Sequence, residues 1–251
     1  MPDCAAVQKG KVMIEQQDKR VRLSKVSVSG FKSFGTSQNS LDIDLRDINI
    51  IIGANGSGKS NFLSFFTMLS YMMTNQFQLY VAKQGFANRI LHFGARKTQH
   101  IDAEIHFQSS EHSNIYKSRL DYATDDKLVI GDEILNFDGK EKRLSSGERE
   151  SYFAAGHDFH QNEKIVRRLL SGCRTFQFHD TSDKSRIRLS ADLKFNRHLY
   201  SDGGNLPVML YVLQQKYPQY FYRIETYVGR IIPSFSHFVL EPDRLADGQI
   251  F

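Results

Sequence analysis

Eight consecutive residues, Gly53-Ala54-Asn55-Gly56-Ser57-Gly58-Lys59-Ser60, have the types and spacing of a phosphate cradle. The pattern G-x-x-x-x-G-K-[ST] works through its backbone: glycines tolerate positive φ, so successive N–H groups can turn inward toward anionic oxygens. A helix opening near Lys59 would aim its positive dipole end at the same anion. Lys59 would reach the β- and γ-phosphates of a nucleotide, and the Ser60 hydroxyl would ligate Mg²⁺.

A cradle of this kind needs a strand before it and a helix after it, and the sequence offers both. Ile48 to Ile52 is a short apolar run broken only by Asn49, which predicts a buried strand. Residues 59–74 carry Phe62, Phe65, Phe66, Leu69 and Met73 at helical spacing. Strand, Gly-rich loop and helix in that order make nucleotide binding the reading of the motif.

The remaining elements follow from periodicity. Residues 21–30 alternate apolar and polar side chains, and Leu41, Ile43 and Leu45 repeat the alternation. Ile101, Ala103, Ile105 and Phe107 share one strand face; Tyr116 to Tyr122 and Leu128 to Phe137 are its expected neighbours, with Asp138-Gly139 as a turn. A helix is expected from about residue 160, through Ile165 and Leu169, then a strand at Thr175 to Phe178. Two helices should fill 203–232, parted near Pro218.

Composition narrows the class. With 40% hydrophobic and 24% charged residues the 251-residue chain falls in the globular range, against disorder or a fibre. No run of about 18 apolar residues exists, so a membrane span is not expected. The first residues lack the apolar core of a secretory signal, and two cysteines, Cys4 and Cys173, cannot build a disulfide framework. These features point to a cytoplasmic protein. The net charge of +5 is concentrated in residues 1–25, which carry +3, so charge gives little support to nucleic-acid binding.

Phe31-Lys32-Ser33-Phe34 after the first strand, then Ile50-Ile51-Ile52 leading into the loop and Asn61 after its Ser60, resembles the RecF/SMC-like branch of ABC-type ATPases. Further stretches resemble a bacterial group within it, the AAA family ATPases. They are Gln84-Gly85 with Leu91-His92-Phe93-Gly94, Phe176-Gln177-Phe178-His179-Asp180-Thr181, Asp202-Gly203-Gly204-Asn205-Leu206, and Phe238-Val239-Leu240-Glu241-Pro242. The similarity spans roughly residues 21–248. It implies that Lys32 and Ser33 lie near the nucleotide; the alternative is an ordinary strand-end turn with Phe31 and Phe34 in the core. It also makes Gln177 a candidate for the glutamine that touches Mg²⁺ and the attacking water, in competition with His179 and Asp180 or with a purely structural role for all three.

Hydrolysis in this branch needs a signature motif and a later Walker B strand ending in Asp-Glu. The family places both beyond the Phe-Val-Leu-Glu-Pro stretch, so the catalytic half is expected to be missing from this chain. Leu144-Ser145-Ser146-Gly147 imitates the signature, and Leu128-Val129-Ile130-Gly131-Asp132-Glu133 imitates Walker B, but their order is reversed. Both are expected to be decoys. His157 and His160 with Asp158 have metal-like spacing, yet a surface loop is the expectation there.

The expected fold is α/β, a P-loop NTPase of the ABC-type head class. It would comprise a mixed sheet, a β-rich insertion at about 100–140 and a partial helical lobe. Residues 1–20 are expected to form a flexible basic tail, 21–180 the nucleotide-binding lobe and 181–251 a helical lobe that is expected to be truncated. The expected function is binding of ATP with Mg²⁺, with hydrolysis when the catalytic half is supplied. An ATP-dependent homodimer and a DNA or nuclease partner follow from the resemblance. The alternatives are a non-hydrolysing nucleotide-binding module and an ATP-switched DNA-binding or defence component. An isolated chain would leave one edge and face of the Ile48–Ile52 strand uncovered, inviting association.

Overall fold

Period-2 alternation builds a six-stranded sheet with one dry face and one wet one. The computed structural model describes residues 21–243 and 249–250, apart from 155, 157, 179–181 and 183. The chain divides into two units, residues 1–173 and 174–251. The expected tail at 1–20 lies outside the described residues, as do His157, His179 and Asp180.

In the first unit the strands are β1 (Arg22–Ser29), β2 (Leu41–Asp44), β3 (His100–Gln108), β4 (Ser113–Ala123), β5 (Lys127–Phe137) and β6 (Lys140–Ser145). Their order is β2-β1-β3-β4-β5-β6, and every pairing is antiparallel. Val26 and Val28, Ile101, Ala103, Ile105 and Phe107, Tyr116, Leu120, Leu128 and Ile130 point to the buried face. The intervening residues, such as Asp102, Glu104, Lys117 and Arg119, point to water. Asp138 and Gly139 both take positive φ, 47° and 85°, the backbone that closes a tight hairpin between β5 and β6.

The dry face is covered by α1 (Lys59–Met72), α2 (Phe77–Lys83), the single turn α3 (Ala87–Ile90) and α4 (Gln161–Ser171). Phe65, Met68, Leu69 and Met72 of α1 recur at helical spacing and are fully buried in the main core. Val166 and Leu170 of α4 join the same core.

Two expected strands did not form. Ile48–Ile52 belongs to no sheet, and Ile48, Ile50 and Ile52 are 81%, 83% and 89% exposed. The immediate reason is local: Arg46 N–H donates to Asn49 Oδ1 and Asn49 Nδ2 donates to Arg46 O, folding 46–49 into a side-chain-closed turn. Thr175–Phe178 is also irregular, its Gln177 N–H donating to Ser201 O rather than to a strand neighbour. Conversely β6 forms over residues for which no strand was expected and runs into the signature-like stretch at Leu144.

The second unit contains β7 (Ala191–Asp192), α5 (Leu206–Lys216), α6 (Pro218–Ile231), β8 (Pro242–Asp243) and β9 (Gln249–Ile250), with strand order β7-β9-β8. Pro218 opens α6, the position where its missing N–H costs least. The Asp202-Gly203-Gly204-Asn205 stretch is a clasp. Buried Asn205 donates to the Phe195 and His198 carbonyls and accepts from the Tyr200 N–H. Gly203, at φ 72°, leaves room for Phe178 and Ile187, which would stand 3.0 and 3.1 Å from an added Cβ.

In the first unit, β6 is tied to the start of α4 through buried Glu163, which accepts from Lys142 Nζ at 2.7 Å and from the His160 N–H at 2.9 Å. Burial pushes the Glu163 carboxyl up. The Lys142 bond and the His160 N–H outweigh it and hold the group below its ordinary value. A folded pKa below the unfolded one contributes stability that is full above the unfolded value and is lost as pH falls through the folded one. The stability gap between wild type and Glu163→Gln is therefore expected to be constant above pH ~5 and to shrink below pH ~4, as read by urea unfolding across pH.

Candidate functional site

The phosphate loop enters α1 through Gly58, whose φ of 94° is open only to glycine without strain. A Cβ there would stand 2.9 Å from Ser33 Oγ and 3.3 Å from the Phe34 ring. Gly56, at φ 84°, has nothing within 4 Å of an added Cβ, so the space above the loop is open. Gly53 is confined by Ser57 Oγ, 2.7 Å from where its Cβ would be. Residues 53–57 are exposed, as is Ser60, the first-turn hydroxyl expected to hold Mg²⁺.

Lys59 folds back over this loop. Its Nζ donates to Gly53 O at 2.6 Å and Ala54 O at 2.7 Å. The two neutral carbonyls that hold this ammonium are displaceable partners, because an anionic oxygen forms a stronger, charge-assisted bond. The positive-φ glycines, the open space, the 14-residue helix and the captive ammonium fit a polyphosphate, and Ser60 fits a hard cation beside it.

Residues 30–35 brace the loop from the other side. Gly30, at φ 77°, faces His100 O, which would lie only 2.3 Å from an added Cβ. Phe31 is fully buried, edge-on to Phe65 of α1 at 5.7 Å, and Phe34 packs against the same core. Ser33 then meets α1: Asn61 Nδ2 donates to Ser33 Oγ at 2.8 Å. Lys32, at φ 47°, turns the other way and donates to Ser64 Oγ and Gln84 Oε1 at 2.6 and 2.8 Å. Half-burial lowers the pKa of that ammonium. Asn61 and Ser33 thus sit at the loop, whereas the Lys32 charge is spent along the middle of α1.

A cavity of about 430 Å³ opens beside the loop and shares Gly56 and Ser57 with it. Its other walls include Ser33, Asn39, His92 and Phe93. The sequence singled out Leu91-His92-Phe93-Gly94 only as a family marker. The missed signal was an aromatic placed just before a positive-φ glycine: Phe93 and Gly94 have φ of 55° and 77°.

The Walker-B-like and signature-like stretches are structural. Asp132 forms a two-point pair with Arg143, at 2.8 and 2.7 Å, which holds its carboxyl below the usual range. Glu133 is fully buried and accepts from Tyr116 Oη, Ser145 Oγ, Ser151 Oγ and the Tyr152 N–H, all within 2.8 Å. Ser146 Oγ donates to Gly131 O, and the Gly147 N–H to Ile130 O. Gly131 is a glycine because Asp121 Oδ2 would lie 1.9 Å from its Cβ. Gln177 is an exposed residue of the second unit. His160 precedes α4 and Asp158 pairs with Lys164; no group of three metal-ligating side chains occurs among the described residues.

A family model described as "AAA domain" matches residues 25–220. A solved structure described as "Structural biochemistry of ATP-driven dimerization and DNA stimulated activation of SMC ATPases" is similar over 59% of this chain and 78% of its own. That structure is 15% identical, with a TM-score of 0.35. No curated protein matches the chain.

Two substitutions test the geometry. Gly58→Ala, forced to positive φ against Ser33, is expected to lower the unfolding free energy by about 1–2 kcal/mol in a urea titration. Glu133→Ala strands the buried Tyr116 and Ser151 hydroxyls and the half-buried Ser145 hydroxyl, and is expected to cost about 3 kcal/mol or more in the same assay, marking Glu133 as a packing residue.

Proposed function

The chain belongs to the AAA domain family, and from that premise we propose that it binds ATP with Mg²⁺ through residues 53–61. The observation that carries the reading is Lys59, held in the mouth of a positive-φ glycine loop by two carbonyls that a phosphate would displace. The loop N–H groups and the α1 N-terminus would bind the phosphates. Lys59 would neutralise the terminal ones and Ser60 would ligate the cation. ATP and Mg²⁺ supply the reactive phosphoanhydride and its charge-neutralising metal. Ser33 and Asn61 would fix the loop against the strand-end turn.

ATP hydrolysis also needs a carboxylate that orients water. Asp132 and Glu133 are committed to Arg143 and to four internal donors, so neither supplies it. That engagement favours a second reading for the residues in hand, a nucleotide-binding module whose turnover depends on a complementing polypeptide. An ATP-dependent homodimer, a DNA or nuclease partner and a cytoplasmic location are proposed on the RecF/SMC-like motif resemblance. No described helix is long and apolar enough to cross a membrane.

Calorimetry with Mg-ATP, paired with a phosphate-release assay, tests the proposal. Wild type is expected to bind, and Lys59→Ala to lose about 10-fold or more in affinity. Its melting temperature should hold, because Lys59 bonds only to its own loop. Absence of binding by wild type would overturn the proposal. The chain alone is expected to release no phosphate; release by wild type that Glu133→Gln or Asp132→Asn abolishes would overturn their structural assignment.

A further inference from the structure

The cavity beside the phosphate loop has an unusual wall. Phe93 is 80% exposed, although an aromatic ring of this size ordinarily gains by burial. Its backbone is held at φ 55°, a region rare for bulky residues. Structure on both sides enforces it. The His92 N–H donates to Gly30 O, the Gly94 N–H to Leu91 O, and the Ala95 N–H to Asn88 Oδ1. An aromatic ring is therefore fixed at the rim of a polar pocket, with the strain met by its neighbours.

His92 is equally constrained. Its Nδ1 lies 2.7 Å from Lys32 O, an atom that can only accept, so the neutral ring carries its proton on Nδ1 and leaves Nε2 as an acceptor. Nε2 lies over Gly35, 3.1 Å from where a Cβ would be, and Asn39 Cβ is 3.0 Å from the same point. The missing Cβ at Gly35 thus leaves room for His92 and Asn39, both of which line the pocket. The His92 and Phe93 rings meet edge to face, 4.2 Å between centroids.

A nucleotide whose phosphates occupy the loop has to place its other end somewhere, and this cavity is continuous with the loop through Gly56 and Ser57. Its volume falls in the range of small-molecule sites, roughly 300–1,000 Å³. We propose that this pocket is a purine subsite, in which the base stacks on Phe93 and the C6 amine of adenine donates to His92 Nε2. The inference rests on the nucleotide-binding reading above and adds which part of the ligand is read and by what. Adenine presents an amine at its C6 edge, whereas guanine presents a carbonyl there, and a carbonyl opposite an acceptor is repelled. The subsite therefore selects adenine nucleotides over guanine nucleotides.

The test compares Mg-ATP, Mg-GTP and inorganic tripolyphosphate on the full chain, with wild type, Phe93→Ala, Phe93→Trp and Lys59→Ala. Phe93→Ala is expected to weaken ATP about 10-fold, the scale of a lost base stack, while leaving tripolyphosphate unchanged; Phe93→Trp should restore ATP. Wild type should prefer ATP to GTP about 10-fold or more. Because Phe93 is exposed, its variants should melt with wild type. Tripolyphosphate binding that needs Lys59, together with ATP affinity indifferent to Phe93, would overturn the purine subsite and leave the phosphate loop standing. ATP and GTP bound equally would overturn the His92 contact. Failure of wild type to bind either tripolyphosphate or ATP would overturn both readings.

Discussion

The seating of α1 on the dry face of the sheet is the constraint from which the rest of the site follows. Phe65, Met68, Leu69 and Met72 are fully buried, each contributing about 2 kcal/mol or more relative to exposure. They lie in the later turns, so the helix is fixed from its C-terminal side. Its N-terminus, with four backbone N–H groups lacking helical partners, is thereby delivered to the surface at a defined place. Only then does the glycine at position 58 matter: its positive φ turns the chain sharply as it joins an already anchored helix.

The second anchor is Phe31. Its ring against Phe65 couples the end of β1 to the same helix, so Ser33, two residues on, reaches Asn61 in the first turn. His92 joins this arrangement by two backbone bonds, its N–H to Gly30 O and its ring to Lys32 O. One strand end, one helix start and one irregular turn after α3 are thus locked together around the loop. The polar groups that face the cavity are held by a core they barely touch. That is preorganisation: side chains fixed before a ligand arrives need not be ordered by it.

Much of this was legible in the sequence because it is written in periodicities. Period-2 alternation located β1 through β5, and the spacing of Phe62, Phe65, Leu69 and Met73 located α1. The eight-residue loop carried its own chemistry. What escaped depended on neighbours distant in the chain. Nothing local to Glu133 says that Tyr116, Ser145 and Ser151 will turn toward it, and so a Walker-B look-alike had to be judged by motif order. The role of His92 was equally hidden, since its partner, the Lys32 carbonyl, lies sixty residues earlier. Positive φ at Phe93 has no compositional signature beyond the glycine that follows.

Ile48–Ile52 shows the opposite limit. Its side chains have strand propensity, yet propensity is only a fit to a pleated, half-buried surface, and a strand exists by pairing. Here β2 pairs with β1, the Arg46–Asn49 turn closes the chain after it, and no described strand lies alongside residues 48–52. The phosphate loop consequently has unequal arms. Its downstream arm is a buried helix; its upstream arm is exposed isoleucine with no ladder bonds. Local stability follows such contacts, so the upstream arm belongs to the low end of the stability range and the downstream arm to the high end. A ligand bridging the loop N–H groups and Lys59 would stabilise the whole in proportion to its affinity. The free energy of that ordering is drawn from the Gly53–Ala54 side, where two carbonyl oxygens now hold Lys59 in place of the anion, while Gly58 and α1 remain as they are.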